Sequence, residues 1–240
     1  LIPRGSNEFV RYIMDNTKIP VLGHADGLCA IYVDKEFEME LALKVTVDAK
    51  CQYPAVCNAV ETLLVHASMA SEFLPRLKEA LKPWNVRIKG DERVRAIIEC
   101  EAATEVDFKT EFLDYTMAIK MVDSFEEAVE HIASYGSHHT DAILTSNRAT
   151  AQRFLREVDS ADVFWNCSTR FADGFRYGLG AEVGIGTQRI HARGPVGLNG
   201  LVTSKWLLGG EGHTVATYAA GRPFKHIELE NDKSELYGGE

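Results

Sequence analysis

A chain of 240 residues with 45% hydrophobic and 25% charged side chains is long enough to bury a substantial core and has the balance of a globular protein. Its net charge of −9 offers no basic face for nucleic acid, and it lacks the run of about 18 apolar residues that a membrane helix needs. Five cysteines at scattered positions (29, 51, 57, 100 and 167), with no Cys-x-x-Cys pair, argue for a reducing compartment and against a disulfide scaffold.

In chain order, Ser6 caps a predicted helix over residues 7–16, with Phe9, Tyr12 and Ile13 on one face. Residues 19–22 read as a short strand, 23–27 as a turn-rich loop, 28–33 as a second strand and 37–50 as a helix. A Tyr53-Pro54 turn then leads to Cys57 and to an apolar strand over 62–65. Ser68 opens a helix that Pro83 ends; 86–89 is a strand, 91–99 a short helix and 115–122 a strand. Ser124 and Glu127 form a capping box for a helix reaching about 134. Strand 141–145, helix 148–158 and strand 162–166 follow. Alternating strands and helices predict an α/β fold with a mostly parallel sheet flanked by helices. The last fifty residues are rich in glycine; 201–208 is their one strong predicted strand, and an acidic tail begins at Glu228.

The stretch from Tyr53 to His66 sets one thiol at a chain bend beside an apolar strand, where a substrate can reach it and its neighbours hold it. A thiolate attacks carbonyl carbon well even at a modest ionised fraction. The plainer reading is that Cys57 is a space-filling, inert thiol. Gly5 and Ser6 at a helix start can approach a phosphate through backbone N–H groups, or serve only as an ordinary cap. His66, His138, His139 and His191 lack metal-ligand spacing, so no metal is expected. The glycines from Gly178 to Gly186 lack a strand before and a helix after them, which rules against a dinucleotide fingerprint.

The Cys57 stretch resembles the nucleophile segment of the gamma-glutamyl phosphate reductases. That family lies within the aldehyde dehydrogenase superfamily and also forms the C-terminal part of delta-1-pyrroline-5-carboxylate synthase. Further segments resemble the family in the same order: Ile2 to Asn7, Gly23 to Gly27, His139 to Ile143, Ser168 to Gly184, and His191 to Gly197. The resemblance implies an aldehyde-dehydrogenase-like catalytic domain with remnants of the nucleotide-binding domain. Residues 1–22 would be the end of the cofactor domain, 23–190 the catalytic domain, and 191–240 the return to the cofactor domain and the oligomer contact.

By the same resemblance, the chain reduces L-glutamyl 5-phosphate with NADPH to glutamate 5-semialdehyde and phosphate, through a thioester on Cys57, in proline biosynthesis. Gly5, Ser6 and Glu111 would touch the cofactor; Glu111-Phe-Leu113 is similar to the superfamily's Glu-x-Phe, with leucine in place of the aromatic. Asn166, Ser168, Thr169 and Arg170 would line the substrate mouth, with Arg170 on the α-carboxylate. Arg170 and Arg176 also read as surface or subunit-contact charges. Where hydrolytic members carry a general-base glutamate, Leu22-Gly23-His24 stands, so water is not activated against the thioester. His24 is either a weak base or phosphate ligand, or a loop histidine bonded to backbone. A cytoplasmic homo-oligomer, dimer or tetramer, is implied, without nucleic-acid or membrane partners. Two other readings stay open: an oxidising semialdehyde dehydrogenase of the superfamily, and a non-catalytic module that assembles with a partner.

Overall fold

Short apolar runs rich in Val, Ile and Leu build the sheet. In a computed structural model that describes residues 1–227, these are β1 (Cys29–Val33), β2 (Val60–His66), β3 (Arg87–Gly90), β4 (Glu101–Ala102), β5 (Thr116–Val122), β6 (Thr140–Leu144) and β7 (Asp162–Trp165). They form one seven-stranded sheet in the order β4-β3-β5-β2-β1-β6-β7, and every neighbouring pair is parallel. A parallel partner requires the chain to cross back, and helices make most of these crossings. They are α2 (Met39–Cys51), α3 (Ala67–Leu81), α4 (Glu92–Arg95), α5 (Phe125–Tyr135) and α6 (Arg148–Glu157), while α1 (Asn7–Asn16) precedes the sheet.

The two-residue period of a strand decides which face each side chain enters. Ile31 and Val33 join Leu63, Met117 and the α3 residues Phe73, Leu74 and Leu77 on one face. Ala30 and Tyr32 turn the other way, to Leu64, Phe125 and Phe154. Covered on both faces, the central strands are buried nearly throughout, with Glu61, Thr62, Thr140 and Asp141 as polar members among Val, Ile and Leu.

Contacts divide the chain into two compact units, Leu1–Val202 and a second beginning at Thr203. The first also holds a small antiparallel pair, β8 (Gly184–Gly186) with β9 (Gly194–Val196). The second carries one short helix, α7 (Val215–Ala219), and Tyr218 stacked on Phe224 at 4.7 Å between ring centroids. Among the described residues, no helix is long and apolar enough to cross a membrane. The acidic tail from Glu228 lies outside the described residues.

Several expectations need correction. Residues 19–22 form no strand: Pro20 has no N–H to donate, and the segment meets the N-terminus through the Leu22 N–H to Leu1 carbonyl bond of 2.8 Å. Residues 201–208 have no strand either; a strand needs a partner for its backbone groups, and none pairs with this stretch among the described residues. The cap of α3 is His66 rather than Ser68: its Nδ1 accepts from the Ser68 N–H at 3.2 Å. The helix expected over 91–99 shortens to one turn, capped by Asp91. At α5 the Ser124 hydroxyl accepts from the Glu127 N–H at 3.1 Å, but the Glu127 carboxylate reaches Asp123 N–H, one residue earlier than a reciprocal box would place it. The strand expected to reach Asn166 stops at Trp165, and Asn166 turns to a φ of 55°.

Candidate active site

Four adjacent strands, β5-β2-β1-β6, begin side by side, so the loops entering them are neighbours whatever their separation in sequence. Glu111 lies on the loop entering β5, Cys57 on that entering β2, Gly27 on that entering β1, and His139 immediately before β6. The candidate site is therefore built on the amino edge of the sheet.

Gly27 sets the Cys57 loop. A β-carbon there would stand 2.1 Å from the Cys57 carbonyl oxygen, so only glycine lets the two loops touch. Behind them the Cys29 thiol donates to the Cys57 carbonyl at 3.2 Å, and Asn58 Nδ2 donates to the Ala172 carbonyl at 2.8 Å. The backbone carrying Cys57 is thus tied down on three sides, while its side chain remains part-exposed. Burial, then the negative charges of Glu111 and Glu182, push the Cys57 thiol up to about 12, against a smaller opposing effect from Arg170. Cys57 is held here as a thiol and loses its proton only when a reaction or ligand takes it.

Cys57, His24, Gly5, Asn7 and Glu111 line one cleft of about 230 Å³. Ser6 is the cap of α1, with its hydroxyl accepting from the Phe9 N–H at 3.3 Å, and lies outside the lining. Asn7 Nδ2 donates to Glu111 Oε2 at 3.1 Å and to Asp26 Oδ1 at 2.8 Å, which fixes one Glu111 oxygen. Below it, the fully buried Lys50 Nζ meets Glu61 Oε2 at 2.6 Å, while Glu61 Oε1 accepts from the Leu113 N–H at 3.3 Å. This buried pair joins α2 and β2 to the loop that presents Glu111.

The expected substrate-mouth residues are elsewhere. Asn166, Ser168, Thr169 and Arg170 follow β7, and none lines the cleft. Both ends of the Asn166 amide clasp Thr145: Oδ1 accepts from its N–H and Nδ2 donates to its carbonyl, each at 2.9 Å. Ser168 accepts from the Arg170 N–H at 3.3 Å, and Arg170 Nε donates to Gln52 Oε1 at 3.0 Å. Arg170 is buried, not a surface charge, and its field reaches Cys57. The Thr169 hydroxyl is buried without a partner.

Residue spacing gave no reason to expect the grouping of His24, Cys57 and His139. One donor atom from each lies within 4.8 Å of the other two. His24 and His139 meet edge to face, with ring centroids 4.6 Å apart. His24 Nδ1 faces the Ile185 carbonyl at 2.9 Å, which assigns the ring proton to that nitrogen and leaves the Nε2 lone pair free. His139 lies inside a segment that resembles the reductase family, and its position just before a buried strand is the signal the sequence carries.

No family model matches the chain. A gamma-glutamyl phosphate reductase of Pelotomaculum thermopropionicum is 58% identical over 233 residues, which are 97% of this chain and 54% of that protein. The chain thus spans about half the length of the curated relatives it matches. A crystal structure of gamma-glutamyl phosphate reductase from Thermotoga maritima aligns with a TM-score of 0.85 at 46% identity, over 89% of this chain and 52% of that one. An engineered glycolyl-CoA reductase with bound NADP+ aligns with a TM-score of 0.60 at 12% identity, over 82% of this chain and 52% of its own, a likeness of fold alone. Over nearly its whole length the chain is a homologue of proteins named gamma-glutamyl phosphate reductase, and it shares its fold with an acetylating aldehyde dehydrogenase of Geobacillus thermoglucosidasius, at a TM-score of 0.59 and 15% identity over 78% of this chain and 50% of that one.

Proposed function

We propose that this chain is the cysteine-bearing part of an enzyme that reduces L-glutamyl 5-phosphate to glutamate 5-semialdehyde with NADPH, in proline biosynthesis. The observation that carries the reading is Cys57, fixed by its backbone on the amino edge and opening into the Glu111 cleft. The Cys57 sulfur attacks the acyl carbon, phosphate leaves, and the glutamyl group is held as a thioester. His24 would take the thiol proton, its Nδ1 being held by the Ile185 carbonyl. With no carboxylate at Leu22 to His24 to activate water, the thioester is spared hydrolysis.

The cleft fits one end of a nicotinamide cofactor. About 230 Å³ is too small for a whole dinucleotide but suits its nicotinamide riboside part, and Glu111 has an oxygen that Asn7 does not engage. NADPH supplies the hydride that releases the aldehyde. Glu111 and Gly5 would hold the ribose, with Ser6 supporting them as the helix cap. Ser168, Thr169 and Arg170 would act on the glutamyl group from behind the Cys57 loop, and Asn166 would shape their segment. Residues 1–22 would complete a cofactor domain contained in the longer relatives, 23–190 would be the catalytic domain, and 191–240 would return to it. The enzyme would work in the cytoplasm as a homo-oligomer, dimer or tetramer, with the apolar 201–208 stretch contributing to the contact.

The test is phosphate-dependent reduction of NADP+ by glutamate 5-semialdehyde, using this chain joined to the other half of its relatives' length. Activity that needs phosphate and disappears in Cys57→Ala supports the reading. Oxidation of the aldehyde without phosphate would favour a semialdehyde dehydrogenase instead.

A further inference from the structure

We propose that His24, Cys57 and His139 form a binding site for a thiophilic divalent cation such as Zn2+, and that the bound cation silences Cys57. Two imidazoles and a thiolate are a donor set that zinc prefers. Tetrahedral zinc with ordinary bond lengths sets nitrogen and sulfur ligands about 3.5 Å apart. The three donors already lie within 4.8 Å of one another, so closure takes side-chain movements on the order of an ångström.

Independent observations point to a ligand here. His139 is fully buried, yet its Nε2 has no hydrogen-bond partner. Its Nδ1 is occupied, with the Thr140 hydroxyl at 2.8 Å and the Cys29 thiol at 3.7 Å. An unpartnered nitrogen in such a place is costly unless something fills it. His24 shows the matching arrangement: Nδ1 is held by the Ile185 carbonyl, which orients the ring and leaves Nε2 to bind. Cys57 and His24 line the cleft, so a cation can enter from it, and a fourth position remains for water or an anion.

On binding, Zn2+ replaces the thiol proton of Cys57, which passes to solvent, and the sulfur lone pair becomes a metal bond. A sulfur so engaged is a much weaker nucleophile towards carbon than the free thiolate. That turnover stops with it rests on the nucleophile role proposed above; the binding itself does not.

The experiment is anaerobic titration of this chain with Co2+, following the thiolate-to-cobalt absorption. The expected result is one equivalent bound, displacement by Zn2+, and protection of Cys57 from iodoacetamide that a chelator reverses. Cys57→Ser should abolish the absorption. The part-exposed His24→Ala and the conservative His139→Gln should each weaken binding at least tenfold while circular dichroism stays unchanged. Cys100→Ser should leave binding as it was. Absorption that persists in Cys57→Ser, or binding indifferent to both histidine variants, would overturn the site, as would no absorption at all. A chain that binds cobalt but is never acylated keeps this inference and loses the functional reading.

Discussion

The two edges of the sheet use their polar residues differently. At the carboxyl edge they are committed to structure. Tyr32 donates to Asp34 at 3.0 Å, and the Thr145 hydroxyl to the other Asp34 oxygen at 2.8 Å. Asp91 accepts from Val94 and Met121 N–H groups at 2.8 and 3.0 Å, and Asn166 clasps Thr145. At the amino edge, polar groups are left over: the Cys57 thiol and the unpartnered His139 Nε2 and Asn58 Oδ1. Open α/β sheets usually bind ligands beyond the carboxyl ends of their strands. Here spare bonding capacity, rather than that habit, marks the candidate site, and it marks the opposite edge.

Removing buried support from the amino edge should cost most. Lys50→Met strands the Glu61 carboxylate in the core, and urea unfolding should show a loss of about 3–5 kcal/mol. Adding Glu61→Leu should recover most of it. A pH effect should come from His131, under the same edge against Phe108 and Tyr135, with neither ring nitrogen bonded. Burial, aided by the Lys120 charge and opposed by Glu105, lowers it to about 4 from 6.5. The unfolded chain therefore takes the proton first. The contribution of His131 to stability is whole above pH 6.5 and declines as pH falls towards 4, by about 3 kcal/mol. His131→Phe should flatten that decline in unfolding curves at pH 4.5 and 7.

Smaller effects sharpen the contrast. Gly27→Ala must displace the Cys57 backbone and should cost about 1–3 kcal/mol while altering Cys57 alkylation. Asp91→Ala, at the carboxyl edge, should cost about 1 kcal/mol through the lost cap and leave Cys57 alkylation unchanged. Equal responses of Cys57 to both variants would erase the distinction between the edges.

Local pattern made much of the fold legible. Apolar runs located the main strands, Ser124 is a real cap, and the Tyr53-Pro54 turn marks the Cys57 bend. Strand order was not legible locally. The order β5-β2-β1-β6 is what gathers Glu111, Cys57, Gly27 and His139, so Gly27 looked like one turn glycine and His139 like one histidine among eight. A loop asparagine looks available in sequence, whereas the left-handed backbone of Asn166 turns its amide back onto Thr145. Residues 19–22 and 201–208 had strand composition but no partner strand, and composition cannot supply one.

The most direct measurement is peptide-level mass spectrometry after incubating the chain with an acyl phosphate. The account predicts an acyl adduct on Cys57, absent in Cys57→Ser, with Cys29, Cys51, Cys100 and Cys167 unmodified. An adduct on Cys167, or acylation that continues unchanged in Cys57→Ser, would contradict it.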